Sequence, residues 1–193
     1  MDLSFISENK KFNYRVCAMM ISDDKILAMH DERSPYYYLP GGRVEIGETA
    51  EHAVIREIQE ELGVTPRIIR PLWLNQAFFT EDVDNLNYHE LCIYFLMDVA
   101  GTGLLAKGNK FISKEGHRTH TFEWLEFKRL EDEYFYPLFL KKDIFNRTML
   151  QDSFGRHGLR FMERPPGEAG LRHDRGAPIP ADRPRFPDNV AMK

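Results

Sequence analysis

The sequence predicts a mixed α/β domain, and three observations carry that prediction. Apolar, strand-like runs come in pairs joined by turn residues. One amphipathic helix stands between two such sets, and a second helical stretch closes the pattern near Leu150. The order of strands, helix, strands, helix is not the alternating series of a doubly wound parallel sheet. With 193 residues, 42% hydrophobic and 29% charged, the chain is long and apolar enough to close a core without disulfides.

Phe12 to Ile21 is rich in strand formers, Ser22-Asp23-Asp24 reads as a turn, and Lys25 to His30 returns as the second arm of a hairpin. Tyr36 to Leu39 reads as a short aromatic strand stopped by Pro40-Gly41-Gly42. Arg43 to Ile46 alternates in period two and reads as another short strand. The clearest helix lies near Glu48 to Leu62, with Thr49 as cap residue and Gly63 as terminator. Arg67 to Thr80 and Tyr88 to Val99 are long strands joined through the acidic link Glu81 to Asn87. Ala100 to Arg118 reads as a loop containing glycine and lysine, His120 to Phe127 as a strand, and Pro137 to Leu150 as a closing helix.

From about Ser153 the composition changes. Six prolines and seven arginines fall among residues 153–193, with one lysine at the last position and almost no aliphatic periodicity. The organisation is therefore a domain over residues 1–152 followed by a disordered C-terminal tail over 153–193. The tail reads as a passive extension, with a weakly basic arm as the alternative.

The formal net charge of −4 gives no basic field for nucleic acid or an anionic membrane. No stable nucleic-acid complex is expected. No apolar run reaches the ~18 residues of a membrane span, and Met1 to Asn9 has no basic-then-apolar signal pattern, which reads as a cytoplasmic protein. Cys17 and Cys92 sit in apolar runs and read as small core residues. An acidic chain that binds a polyphosphate must supply positive charge locally, and metal ions are the obvious source.

The helix offers such a place. Glu57, Glu60 and Glu61 stand at i, i+3 and i+4 and share one face, beside the apolar stripe of Val54, Ile55, Ile58 and Leu62. Like charges at that spacing repel, and hard divalent cations with oxygen ligands offset the repulsion. Ala53 is small enough to let Pro40-Gly41-Gly42 approach, so the Gly42 carbonyl can face the same ion. Arg56 can hold a glutamate by a forked contact, and Glu48 can support the site from the helix start.

The full spacing says more. Gly42, five residues, Glu48, seven residues, Arg56-Glu57-Ile58, one residue, Glu60-Glu61, one residue, Gly63-Val64 resembles the Nudix box with every specified position filled. Seven positions demand one residue type, which is a chance match of roughly one in a hundred million at ordinary residue usage. The resemblance implies an α/β/α sandwich with a mixed sheet and a central catalytic helix. It implies Mg²⁺ or Mn²⁺ held by Glu57, Glu60, Glu61 and the backbone at Gly42, with Arg56 orienting a glutamate and Glu48 supporting. The reaction it implies is metal-assisted hydrolysis of a phosphoanhydride bond in a small nucleotide-like substrate. Homodimer formation is left open.

In the family the general base varies, and here Glu115 is the first candidate and Glu90 the second. Aromatics in the strands (Trp73, Phe78, Phe79 and Tyr36 to Tyr38) offer stacking surfaces. Phe79 and Glu90 are placed on the substrate, and His117 and His120 read as surface histidines. The proline that members acting on ADP-ribose often carry about fifteen residues past the box is missing at Phe78-Phe79-Thr80. The alternative from another class is a non-catalytic nucleotide-binding or sensor module on the same fold. Its boxes are commonly eroded, and this one is intact.

Overall fold

A computed structural model describes residues 1–32, 34, 36–81, 84–144 and 160–163. Among the described residues, nine strands form one mixed sheet: β1 (Ser4–Ser7), β2 (Lys10–Ser22), β3 (Lys25–Asp31), β4 (Gly41–Arg43), β5 (Arg67–Thr80), β6 (Asn87–Asp98), β7 (Lys110–Glu115), β8 (Arg118–Glu126) and β9 (Arg160–Glu163). The path runs β7-β8-β3-β2-β6-β5-β9, with β1 and β4 pairing on β2. Helix α1 (Ala50–Leu62) lies on one face and the short α2 (Leu140–Asp143) on the other, giving the three-layer arrangement.

Strand β2 organises the sheet. It runs parallel to β6 over most of its length, from the Lys10–Asn87 pair to the Met20–Met97 pair. Its other edge is shared by β1, β4 and β3 in turn. Alternation sends Val16, Ala18 and Met20 to α1, where Val54, Ile58 and Leu62 meet them, and sends Cys17 and Met19 to the opposite core with Trp73 and Leu140. Both cysteines are buried, and their Sγ atoms lie 3.5 Å apart in that second core. Among the described residues no helix is long and apolar enough to cross a membrane.

The predicted strands β2, β3, β5, β6 and β8 and the helix α1 are all present. Three readings are corrected. Tyr36 to Leu39 is not a full strand: Tyr37 and Tyr38 make isolated bridges to Phe135 and Met29, and Pro40 ends the run. The next strand falls at Gly41–Arg43, shifted toward β2, where the glycines allow close pairing with Val16 and Cys17. The segment read as a loop before Arg118 contains β7, whose alternating exposed and half-buried residues pair antiparallel with β8. Strand β1 went unpredicted.

At the C-terminal end α2 covers Leu140–Asp143, and residues 145–150 of the predicted closing helix lie outside the described residues. Of the segment read as a disordered tail, only Arg160–Glu163 is described. It forms a strand parallel to β5, using backbone groups that an edge strand otherwise leaves unpaired.

Candidate functional site: a cleft between the glycine turn, α1 and the sheet

A cleft of about 720 Å³ opens on the sheet face opposite the body of α1. One corner is built by the turn into β4 and by α1. Thr49 caps α1 by accepting from the His52 N–H at 3.2 Å, a contact whose loss costs about 1 kcal/mol. Gly63 ends the helix at φ 71°, donating to the Gln59 carbonyl. These two ends fix the register of the acidic face against the glycine turn.

The two glycines of the turn serve different ends: Gly41 fits the backbone, and Gly42 makes room for a side chain. Gly41 has φ 140°, and a Cβ there would lie 2.2 Å from the Val16 carbonyl oxygen. A Cβ on Gly42 would lie 2.2 Å from the carboxyl carbon of Glu57. The backbone and the Glu57 carboxylate therefore come together only because both side chains are missing.

Arg56 knits this corner. Its Nε and Nη2 donate to the two carboxylate oxygens of Glu48 at 2.9 and 3.0 Å, a forked contact. Nη2 also donates to the Arg43 carbonyl at 2.9 Å, and Nη1 spans Glu57 at 2.9 Å and Glu60 at 3.1 Å. Glu48 accepts in addition from the Glu45 N–H, and the Arg56 bonds hold its pKa below the usual carboxylate value.

The three glutamates differ in exposure. Glu60 is exposed, Glu57 half-buried, and Glu61 only 4% exposed. Glu61 accepts from the Gly41 N–H at 3.0 Å. Burial, then the charges of Glu57 and Glu115, push its pKa well up. Burial also raises Glu57, against the pull of Arg56. Both shifts come first from burial, which disfavours the charged carboxylates unless a cation compensates it. Glu123 shows the contrast. It too is buried, but Arg129 at 2.8 Å, the Tyr37 hydroxyl at 2.8 Å and Lys110 at 3.3 Å outweigh the burial and lower its pKa.

All donors at this corner are oxygens, the type that Mg²⁺ takes. The burial of these carboxylates and the close Gly42–Glu57 approach fit a divalent cation. Among the described residues no three of His, Cys, Asp or Glu converge on one point; the Arg56 guanidinium spans Glu57 and Glu60 instead.

Glu115 ends β7, a strand that packs against α1. Its carboxylate lies 3.2 Å from Nε2 of His120 on β8. The floor comes from β2, β6 and β5. Arg15 pairs with Cys92 in register and Cys92 with Asn75, while Asn13 pairs with Glu90 and Glu90 with Ala77. Arg15 is loosely held, with Nη1 3.9 Å from Glu90 and Nη2 3.5 Å from the Gly41 carbonyl. Phe79 stacks on Tyr88 at 5.1 Å and lines the cleft with Phe78.

Residues 11–150 match the NUDIX domain family. The chain belongs to that family. An ADP-ribose pyrophosphatase of Methanocaldococcus jannaschii is 40% identical over 87 residues, covering 44% of this chain and 49% of that protein. An 8-oxo-dGTP diphosphatase of Escherichia coli is 64% identical over 28 residues, covering 14% of this chain and 22% of that protein. The chain thus spans about half the length, or less, of these relatives. A solved NUDIX hydrolase from Nitrosomonas europaea shares the fold at a TM-score of 0.50 and 16% identity, over 75% of this chain and 97% of that one.

Within this NUDIX domain the structure brings the predicted residues Gly42, Glu48, Arg56, Glu57, Glu60 and Glu61 to one corner. Glu115, Glu90 and Phe79 line the same cleft. Of the other predicted stacking aromatics, Trp73 and Tyr37 are core, while Tyr36, Tyr38 and Phe78 reach the cleft. His117 is exposed as expected, but His120 is 3% exposed and paired with Glu115, because β8 turns it inward. Sequence reasoning missed Arg15, Asn13 and Asn75. Their signal was available: each is a polar residue at an inward position of an otherwise apolar strand.

Proposed function

We propose that this chain is a divalent-metal-dependent hydrolase that cleaves a phosphoanhydride bond in a small nucleotide-like substrate. The observation that carries the reading is the single corner formed by the Gly41-Gly42 turn, the Arg56 network and two glutamates with raised pKa values. Glu57, Glu60, Glu61 and the Gly42 carbonyl would hold Mg²⁺ or Mn²⁺. The bound ion would neutralise diphosphate charge and make water a better nucleophile.

The chain's own residues do the rest. Arg56, fixed by Glu48, keeps Glu57 aimed at the cleft. Glu115 takes the proton of the attacking water. A water oxygen–phosphorus bond forms as the bridging phosphorus–oxygen bond breaks, and the leaving phosphate carries away the electron pair. Arg15, Glu90, Asn75 and Phe79 hold the remainder of the substrate on the sheet.

Phosphate or nucleotide release from a panel of nucleoside triphosphates and diphosphate-linked nucleotides tests this reading. Turnover is expected with Mg²⁺ and not with chelator. Binding of nucleotides without metal-dependent release on a broad panel would instead support the non-catalytic module.

A further inference from the structure

The geometry points to His120 as a positioning residue that holds Glu115 for proton abstraction. The inference rests on the reading of Glu115 as general base and adds the group that aims it. Three observations support it. His120 is 3% exposed and lines the cleft, so its ring is fixed by packing rather than by solvent. Its Nε2 lies 3.2 Å from Oε2 of Glu115. Its Nδ1 is buried with no hydrogen-bond partner among the described residues.

The unpartnered Nδ1 assigns the tautomer. A proton on Nδ1 would bury a donor with nothing to accept it, which is costlier than burying a lone pair. The ring therefore carries its proton on Nε2 and donates it to Glu115. That bond occupies one carboxylate oxygen, holds it as an acceptor, and leaves the other oxygen of this cleft-lining residue for the water. The sheet makes the aim rigid. Glu115 pairs with Arg118 and Ser113 pairs with His120 across the β7–β8 ladder, so base and support ride on two hydrogen-bonded strands. On the other side β3 places Asp31 opposite His120, so the histidine is fixed between two strands.

Glu115 also acts electrostatically on Glu61, which sets it beside the glutamate corner rather than at the cleft mouth. A carboxylate at a strand end with one free oxygen and a buried donor behind it is a base whose direction is set by the fold.

A double-mutant cycle in kcat tests this on the full chain with its metal and a turned-over nucleotide. Glu115→Gln should lower kcat by about 10²-fold or more. His120→Ala should lower kcat by about tenfold with KM within twofold, and should add nothing in the Glu115→Gln background. His120→Gln, whose amide N–H reaches a similar place, should recover most of the loss. The ¹⁵N spectrum of His120 should show protonation at Nε2, and Glu115→Ala should disturb it.

A His120→Ala loss of equal size in both backgrounds means a structural role only and overturns the inference, as does a kcat unchanged by His120→Ala. A Glu115→Gln variant within twofold of wild type removes the base reading and this inference with it, while leaving metal-dependent hydrolysis intact. No turnover by the wild type on the panel overturns all three.

Discussion

The corner at the glycine turn and the floor of the cleft lie within one cavity but are made in opposite ways. The corner comes from one continuous stretch, Gly41 to Val64, whose loop and helix place their groups mostly by local geometry, with the turn seated on β2. The floor comes from β2, β5 and β6, whose contributing residues are brought together only by the parallel register of β2 with β6 and the antiparallel register of β6 with β5. The corner is dense with charge and its groups hold one another: Arg56 alone makes five hydrogen bonds there. The floor is loosely held. Arg15 reaches its partners at 3.5 and 3.9 Å, and Asn75 is 6% exposed and faces the cleft. The difference suggests a division of labour, with chemistry at the corner and substrate selection on the floor.

The largest test is at the corner. Glu57→Gln should lower kcat by at least about 10³-fold on every substrate, because it removes a carboxylate that would hold the cation neutralising the phosphates. A loss confined to some substrates would break the division. Gly42→Ala is the next step down. The added Cβ meets the end of a flexible side chain, so the protein should fold with a similar Tm, while the displaced Glu57 carboxylate should cost about 10- to 100-fold in activity. A fully active Gly42→Ala variant would show that the close approach is incidental.

The order of those two tests follows what could be read from the sequence. The box was legible because a helix repeats every few residues, so spacing alone puts Glu57, Glu60 and Glu61 on one face. Its terminators, Thr49 and Gly63, are local too. The floor was not legible because a strand gives the face of a residue but not its neighbours. Asn75 and Arg15 flank the same Cys92 only once two registers are fixed. Strand β7 escaped for a related reason. Lys110 to Glu115 is half exposed and weakly apolar, and it holds as a strand through its pairing with β8. The inward turn of His120 followed from that pairing and was lost with it.

The smallest expected effect concerns the buried carboxylate that is not part of the cleft lining. Glu123 has its pKa lowered, since Arg129, Tyr37 and Lys110 more than offset its burial. A carboxyl depressed on folding adds stability above its unfolded value of about 4.3 and loses it as pH falls through the folded value. Glu123→Gln should therefore lower Tm near neutral pH, and the gap to wild type should narrow progressively as pH falls below about 4.3. Activity per folded molecule should be unchanged. Two Tm curves that stay parallel in acid would show that the ion pairs add nothing.

The division between corner and floor is tested most directly by one comparison of kcat/KM across a nucleotide panel, with wild type, Glu60→Gln and Asn75→Ala side by side. The corner variant should lower every substrate by a similar factor and keep their ranking. The floor variant should change the ranking, with losses of about tenfold on the preferred substrates, the scale of one or two hydrogen bonds. If Glu60→Gln reorders the substrates, or Asn75→Ala lowers them all alike, the division is contradicted.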